Sequence, residues 1–298
     1  MSGYARRAAL QRLAVVAAMG WTGSASWAQP AAQKGGAAVG APRRIISLGG
    51  AVTEAVYALG AENMLVATDT TSLYPEAATR TPKVGYLRQL SAEGVLSLRP
   101  DAVIGAGEAG PAIVLDQLRA AGVQVETVQA THDWAEVTAK LRMAGRATGK
   151  QAEAEALAQQ LQQQWQAVQA DVARAHSKPR ALFILAHSGT PQVAGSGTAA
   201  HALLTMAGAV NAVQAFKGYR SLTAEAMASV APQLIVTTTQ GLEAMGGTDA
   251  FWKRPELALT PAYGRRALVA MEANHLLGFG PRLPSAVRQL HEQMQRVV

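Results

Sequence analysis

From Lys150 to Lys178 the chain contains neither Gly nor Pro, and Leu157, Leu161, Trp165, Val168 and Val172 recur at helical spacing. A linking helix is read over 148–178, roughly 40 Å long at 1.5 Å per residue. Its apolar stripe has to be covered along the whole length, which suits a rigid strut running between two bodies. On both sides of it, short apolar runs alternate with amphipathic segments. Before it, Ile45–Leu48, Leu65–Ala67, Ala102–Ile104 and Val123–Val128 read as strands, with helices at Thr53–Leu59 and Ile113–Ala121. After it, Ala181–Leu185, Gln192–Ala194, Leu234–Thr237 and Leu268–Met271 read as strands. The alternation predicts two α/β lobes, 43–147 and 179–298, joined by one long helix.

An internal echo supports the division. Leu90-Ser91-Ala92-Glu93, Ser97, Pro100 and the strand from Ala102 recur as Leu222-Thr223-Ala224-Glu225, Ser229, Pro232 and the strand from Leu234, at a constant offset of 132 residues. Each copy reads as a helix capped by Ser91 or Thr223, with an acid in its first turn, ending before a Pro that feeds a buried strand. Helix capping alone accounts for both acids, since a carboxylate near a helix N-terminus is favourable by about 0.3 to 1 kcal/mol.

The first residues carry Arg6, Arg7 and Arg12, an apolar run from Leu13 to Trp21, and then Ser26-Trp27-Ala28. This is the pattern of a cleavable secretory signal over 1–28, with cleavage expected after Ala28. Residues 29–42 read as a flexible lead-in. The apolar run is shorter than the roughly 20 residues of a membrane span, so a soluble exported protein is expected. The chain has no Cys, which excludes disulfides, thiolate metal ligands and a lipidated N-terminal cysteine. Removal of 1–28 takes away three Arg and no acid, so the formal charge falls from +7 to +4. Without a Lys/Arg block, nucleic acid is not expected as a partner.

The runs Arg44-Ile45-Ile46-Ser47-Leu48 with Thr53-Glu54, Leu90 to Ile104, the long helix and Leu222 to Val236 resemble the helical-backbone class of periplasmic binding proteins. That class includes cobalamin, siderophore and haem binders. The resemblance covers nearly the whole chain after the signal. It implies two Rossmann-like lobes with a ligand cleft between them, and one Glu per lobe presented to arginines of an inner-membrane ABC permease. Those roles fall on Glu93 and Glu225. Asp69-Thr70-Thr71-Ser72-Leu73-Tyr74-Pro75-Glu76 and Val84-Gly85-Tyr86-Leu87-Arg88 are similar to the haem-uptake branch, in which the Tyr of the Ser-x-Tyr-Pro segment is an axial iron ligand. The matching residue is Tyr74. Ala186-His187-Ser188-Gly189 and Gly218-Tyr219-Arg220-Ser221 also resemble the branch, which usually has Gly where Ser188 stands and often Lys where Arg220 stands. The resemblance further implies a monomer served by an outer-membrane haem receptor.

A phenolate oxygen suits ferric iron, and a neighbouring cation such as Arg220 or Arg88 would help hold it at neutral pH. Taken by itself, Tyr74 also reads as a loop aromatic fixed by Pro75. His187, just after a strand, is a possible second iron ligand or a loop hydrogen-bonding group, and His201 lies inside a predicted helix. The six His residues form no paired zinc signature. Arg88, Lys217, Tyr219 and Arg220 are possible partners for haem propionates. The competing pattern is Gly105-Ala106-Gly107-Glu108-Ala109-Gly110 with Glu126 about twenty residues on, which read alone suggests an exported NAD or flavin oxidoreductase. Its position in mid-lobe and the Thr237-Thr238-Thr239-Gln240 in the equivalent repeat slot weigh against a phosphate loop. No nucleophile elbow or Walker loop is present, so a non-enzymatic carrier of ferric haem is expected, with siderophore or cobalamin as alternative cargo.

Overall fold

β1 (Ile45–Leu48) is buried at all four positions, as a central parallel strand covered on both faces must be. In the computed structural model, which describes residues 43–186, 190–221 and 223–297, it leads into α1 (Gly50–Ala58), β2 (Leu65–Thr68), α2 (Ala92–Ser97), β3 (Ala102–Ala106), α3 (Ala112–Ala120) and β4 (Gln124–Val128). These strands form a parallel sheet in the order β2-β1-β3-β4. The order reverses between β1 and β3, so their carboxyl ends mark the place where open α/β sheets bind ligands. The signal and lead-in expected over 1–42, and His187, Ser188, Gly189 and Leu222, lie outside the described residues.

The chain leaves this sheet through α4 (Trp134–Thr148) and α5 (Gln151–Ala173). The helix expected over 148–178 is shorter at both ends. Thr148 closes α4, Gly149 takes the left-handed cap at φ 74° and Lys150 precedes α5, which runs 23 residues from Gln151 to Ala173. Ala154, Ala158, Leu161, Trp165 and Val168 are buried along it, and Leu157 and Val172 are partly so. Trp134 of α4 stacks on Trp165 with ring centroids 5.6 Å apart and planes 4° from parallel.

The second sheet collects β5 (Arg180–Leu185), β6 (Gln192–Ala194), β7 (Val210–Asn211), β8 (Tyr219–Ser221), β9 (Leu234–Thr238) and β10 (Leu268–Met271). Its order is β10-β9-β5-β6-β8, with β7 beside β5. β10, β9, β5 and β7 pair in parallel, while β6 is antiparallel to both β5 and β8. Around it lie α6 (Ala199–Met206), α7 (Ala224–Val230), α8 (Thr239–Ala244), α9 (Gly247–Trp252), α10 (Pro261–Arg265), α11 (Ala273–Leu277) and α12 (Leu283–Val297). Leu283, Val287, Leu290 and Met294 of α12 join Leu161 and Trp165 of α5, Val52 of α1 and Phe183 of β5 in one continuous core. The two lobes therefore share buried apolar surface as well as a connecting helix.

The 132-residue echo is structural: α2 and α7 begin at equivalent positions, as do β3 and β9. Two arginines outside that register, Arg44 and Arg180, serve equivalent partners in the two copies. The Arg44 amide donates to Asp101 and its guanidinium to the Leu98 and Arg99 carbonyls. The Arg180 amide donates to Gln233 and its guanidinium to the Val230 carbonyl. Each arginine thus satisfies carbonyls left open at the end of α2 or α7.

Candidate functional site

Where β2 ends, Asp69 is fully buried and organises the loop that follows. Its carboxylate accepts from the Gly49 amide at 2.8 Å, the Thr71 amide at 2.9 Å, the Thr71 hydroxyl at 2.6 Å and the Ser72 hydroxyl at 2.8 Å. Gly49 sits at φ 101°, with space for no large side chain beside Ala106, and links this loop to the end of β1. From the other side, Lys83 Nζ donates to Thr68 Oγ1, the Ser72 carbonyl and the Ala78 carbonyl at 2.7, 3.0 and 2.9 Å. Desolvation lowers the Lys83 pKa and the Asp69 charge opposes the shift. On this pinned loop Leu73 and Tyr74 stand 49% and 45% exposed, and Tyr86 is 40% exposed. The backbone bonds Thr70 to Gly85 and Val84 to Thr68 tie the two segments together. Large apolar side chains held in water by a rigid frame mark a contact surface.

The loop also touches the second lobe. The Arg282 guanidinium lies 3.6 Å from the centre of the Tyr74 ring. Its Nε donates to Glu54 Oε2 at 3.0 Å and its Nη2 to Glu54 Oε1, and Glu272 stands 3.5 Å away. Burial raises the Glu54 pKa against the pull of Arg282. For Arg282, burial acts downward, but Glu54, Glu272 and the Tyr74 phenol carry its pKa above the ordinary value. Nearby, Asn274 Nδ2 donates to the Thr71 carbonyl at 2.6 Å. Lys140, 3% exposed, bridges Glu136 at 2.6 Å and the carbonyls of Gly278 and Phe279.

Residues 45–274 match the sequence profile of the family described as "Periplasmic binding protein". The chain belongs to the periplasmic binding protein family. Among solved structures, this periplasmic binding protein superposes with a TM-score of 0.82 on a periplasmic heme-binding protein, BhuT, in complex with two hemes. The two are 44% identical, over 86% of this chain and 98% of that one. An uncharacterized ABC transporter substrate-binding lipoprotein, YvrC, of Bacillus subtilis is 29% identical over 85% of this chain and 80% of its own length. A vitamin B12-binding protein of Pectobacterium atrosepticum is 27% identical over 87% and 90%. The family and these relatives are substrate-binding proteins, and the two-lobe α/β architecture expected from the sequence is the one shared with the heme-binding BhuT.

In this periplasmic binding protein the cation on Tyr74 is Arg282, and neither Arg88 nor Arg220 takes that place. The exposed Arg220 guanidinium lies over the Phe216 ring, 4.3 Å from its centroid. Exposed Arg88 acts across the lobes on Tyr219 instead: burial raises the Tyr219 phenol, while Thr198 and the Arg88 charge pull it down. Lys217 is exposed and its backbone bridges to Ser196. His201 faces its own lobe, with Nδ1 3.2 Å from Asn211 Nδ2. Glu93 and Glu225 are exposed in the first turns of α2 and α7. In α2 the cap is Ser91, whose hydroxyl accepts from the Gly94 amide at 3.3 Å.

The glycines at 105–110 serve packing. A Cβ on Gly105 would stand 3.1 Å from the Leu48 Cβ and one on Gly107 2.9 Å from the Gln129 Cα, while the Gly110 backbone pairs with Leu87 and Leu90. Two open cavities, of about 630 and 440 Å³, lie on the second lobe and contain none of these site residues. Sequence reasoning missed Arg282, Asn274 and Lys140. One signal was available for Arg282: a cation immediately before a helix opposes the helix dipole, so its charge has to be used elsewhere.

Proposed function

We propose that the chain is a periplasmic haem carrier of an ABC importer, taking ferric haem between its lobes with Tyr74 as an iron ligand. The observation that carries this reading is the Tyr74 phenol, exposed on a loop that Asp69 and Lys83 hold at Thr71 and Ser72. The cargo is a flat apolar ring with a hard iron at its centre and two carboxylates at its rim. The Tyr74 oxygen suits ferric iron, Leu73 and Tyr86 offer apolar contact, and Arg88, Lys217, Tyr219 and Arg220 are the propionate partners. His187 is the second iron ligand to test. The protein is a binder and not an enzyme. It reaches the periplasm as a monomer after cleavage of 1–28, receives haem that an outer-membrane receptor has imported, and delivers it to the inner-membrane permease, whose arginines meet Glu93 and Glu225. Greater identity to a heme-binding protein than to a B12-binding one supports haem over cobalamin.

Titration of the purified protein with hemin, followed by absorbance, tests the reading. A Soret band with phenolate charge-transfer bands is expected, and Tyr74→Phe, which keeps the ring and removes the oxygen, abolishes those bands while leaving the fold intact. Failure of wild type to bind hemin, with binding of cyanocobalamin or a ferric siderophore in its place, overturns the haem reading. A Tyr74→Phe spectrum equal to wild type removes Tyr74 as ligand and moves the test to His187.

A further inference from the structure

The second lobe supplies the surface on which the Tyr74 ring rests. Arg282 follows Gly280-Pro281 and opens α12, and its backbone is fixed there by the Ala286 amide and the Ser285 hydroxyl, which both donate to the Arg282 carbonyl. Its side chain turns away from the helix start, where a cation is disfavoured, and enters the space between Glu54 on α1 and Glu272 at the head of α11. Glu54 is 5% exposed. Two donors on two carboxylate oxygens define the plane of the guanidinium, because a bidentate pair fixes orientation as well as distance. The guanidinium carbon stands over the Tyr74 ring, 3.6 Å from its centroid. Phenol rings on exposed loops ordinarily rotate about two side-chain bonds. Here one face is taken by a guanidinium bonded to Glu54 and beside Glu272, while Asp69 and Lys83 hold the backbone of the loop at Thr71 and Ser72.

We infer that Arg282 is the positioning residue of the Tyr74 site: held by Glu54 and Glu272, it sets the direction of the phenol oxygen before any ligand arrives. The inference rests on the haem reading for its consequence, since a preset ligand direction lowers the ordering cost of binding and slows release. It assigns Arg282 no contact with the cargo.

Two variants and one reference test it in the full chain. Arg282→Lys keeps the charge for Glu54 and removes the planar face, and the two cations are not interchangeable at a stacked site. The double variant Glu54→Gln with Arg282→Gln removes both charges and so leaves no buried carboxylate unpaired. Tyr74→Phe is the reference. Hemin release into an excess of apomyoglobin is followed by stopped flow, and the phenolate bands by absorbance. Both Arg282 variants are expected to release hemin about tenfold faster than wild type, with broadened phenolate bands. In the Tyr74→Phe background, Arg282→Lys is expected to change release no further, because the effect runs through the oxygen. Wild-type rates and bands in both variants, or an equal loss in the Tyr74→Phe background, overturn the inference.

A ligand-free measurement separates its failure from that of the haem reading. With ring-labelled tyrosine, the NMR signal assigned to Tyr74 by its disappearance in Tyr74→Phe is expected to be single and sharp in wild type and multiple or broadened in Arg282→Lys. If wild type binds no hemin but this contrast holds, the positioning role stands and the haem reading alone falls. If hemin binds and the Tyr74 signal is the same in both proteins, the positioning role falls and the haem reading stands.

Discussion

Asn274 and Thr71, 203 residues apart in the chain, meet in a hydrogen bond of 2.6 Å from the Asn274 amide to the Thr71 carbonyl. The contact joins the second lobe to the loop that carries Tyr74, and it exists because Gly50 stands beneath it. A Cβ on Gly50 would lie 2.8 Å from Asn274 Nδ2 and 2.9 Å from the Thr71 oxygen. Helix propensity by itself makes Gly50→Ala stabilising by up to about 1 kcal/mol. The lack of space reverses the sign: overpacking of this kind costs about 1 to 3 kcal/mol. Urea denaturation of Gly50→Ala is therefore expected to show a net loss of stability, and Asn274→Ala a loss of about 1 kcal/mol for one hydrogen bond. A Gly50→Ala protein more stable than wild type contradicts this packing.

Lys140 is a buried cation shared between α4 and the second lobe. Removing it as Lys140→Met leaves the Glu136 carboxylate with only the Thr131 and His132 amides as donors and takes the donor from the Gly278 and Phe279 carbonyls. The expected cost is about 3 to 5 kcal/mol, as for other buried pairs broken on one side. Lys140→Met combined with Glu136→Gln is expected to recover part of it, since no charge then remains buried. Equilibrium unfolding of the single and double variants measures the difference, and a double variant no better than the single one counts against the ion-pair account.

Glu93 and Glu225 occupy equivalent places in the 132-residue repeat, and Ser91 already caps α2. As helix-dipole partners alone, each is worth some tenths of a kcal/mol, and Gln serves nearly as well. If they meet permease arginines, the double change to Gln leaves hemin binding intact and abolishes transfer into permease-containing vesicles, because removing one side of a charge pair weakens an interface by several kcal/mol. Normal transfer by the double variant sinks the docking role and leaves the Tyr74 role untouched.

His275 of α11 pairs with the Ser285 hydroxyl at 3.0 Å. Burial lowers its pKa below the ordinary 6.5, the Arg282 charge adds to the shift, and Glu272 opposes it. The fold thus favours the neutral ring. Between the two pKa values the unfolded chain binds more protons, so this contribution to stability is complete above the unfolded value and is lost as pH falls through the folded one. The melting temperature of wild type is expected to drop more steeply than that of His275→Gln as pH falls from about 7 to about 5. Parallel slopes in the two proteins would remove His275 as the cause.

What could be read from the chain itself is what neighbours along the chain decide. The apolar runs of β1, β6 and β10 carry their strand assignment in their own residues, and the observed bounds match the expected ones. The stripe from Leu157 to Val172 marks α5 because its spacing is a property of one helix. The repeat predicts equivalent starts for α2 and α7, since capping residues and the Pro before each strand act within a few positions. The ends of α5 were already harder: that Gly149 would turn left-handed and separate it from α4 depends on how the two helices fold back on each other.

Tertiary structure alone decided the partners. Tyr74 and Arg282, Thr71 and Asn274, and Lys140 and the Gly278 carbonyl are brought together by the return of α12 along α5 and by the join between the lobes. No local pattern specifies them. The sequence determines which residues are exposed phenols, cations or acids and which element carries each. Their pairing is set by burial of the shared core, because a charge such as Arg282 finds its place only where folding has removed water and left the Glu54 carboxylate in need of a counterion.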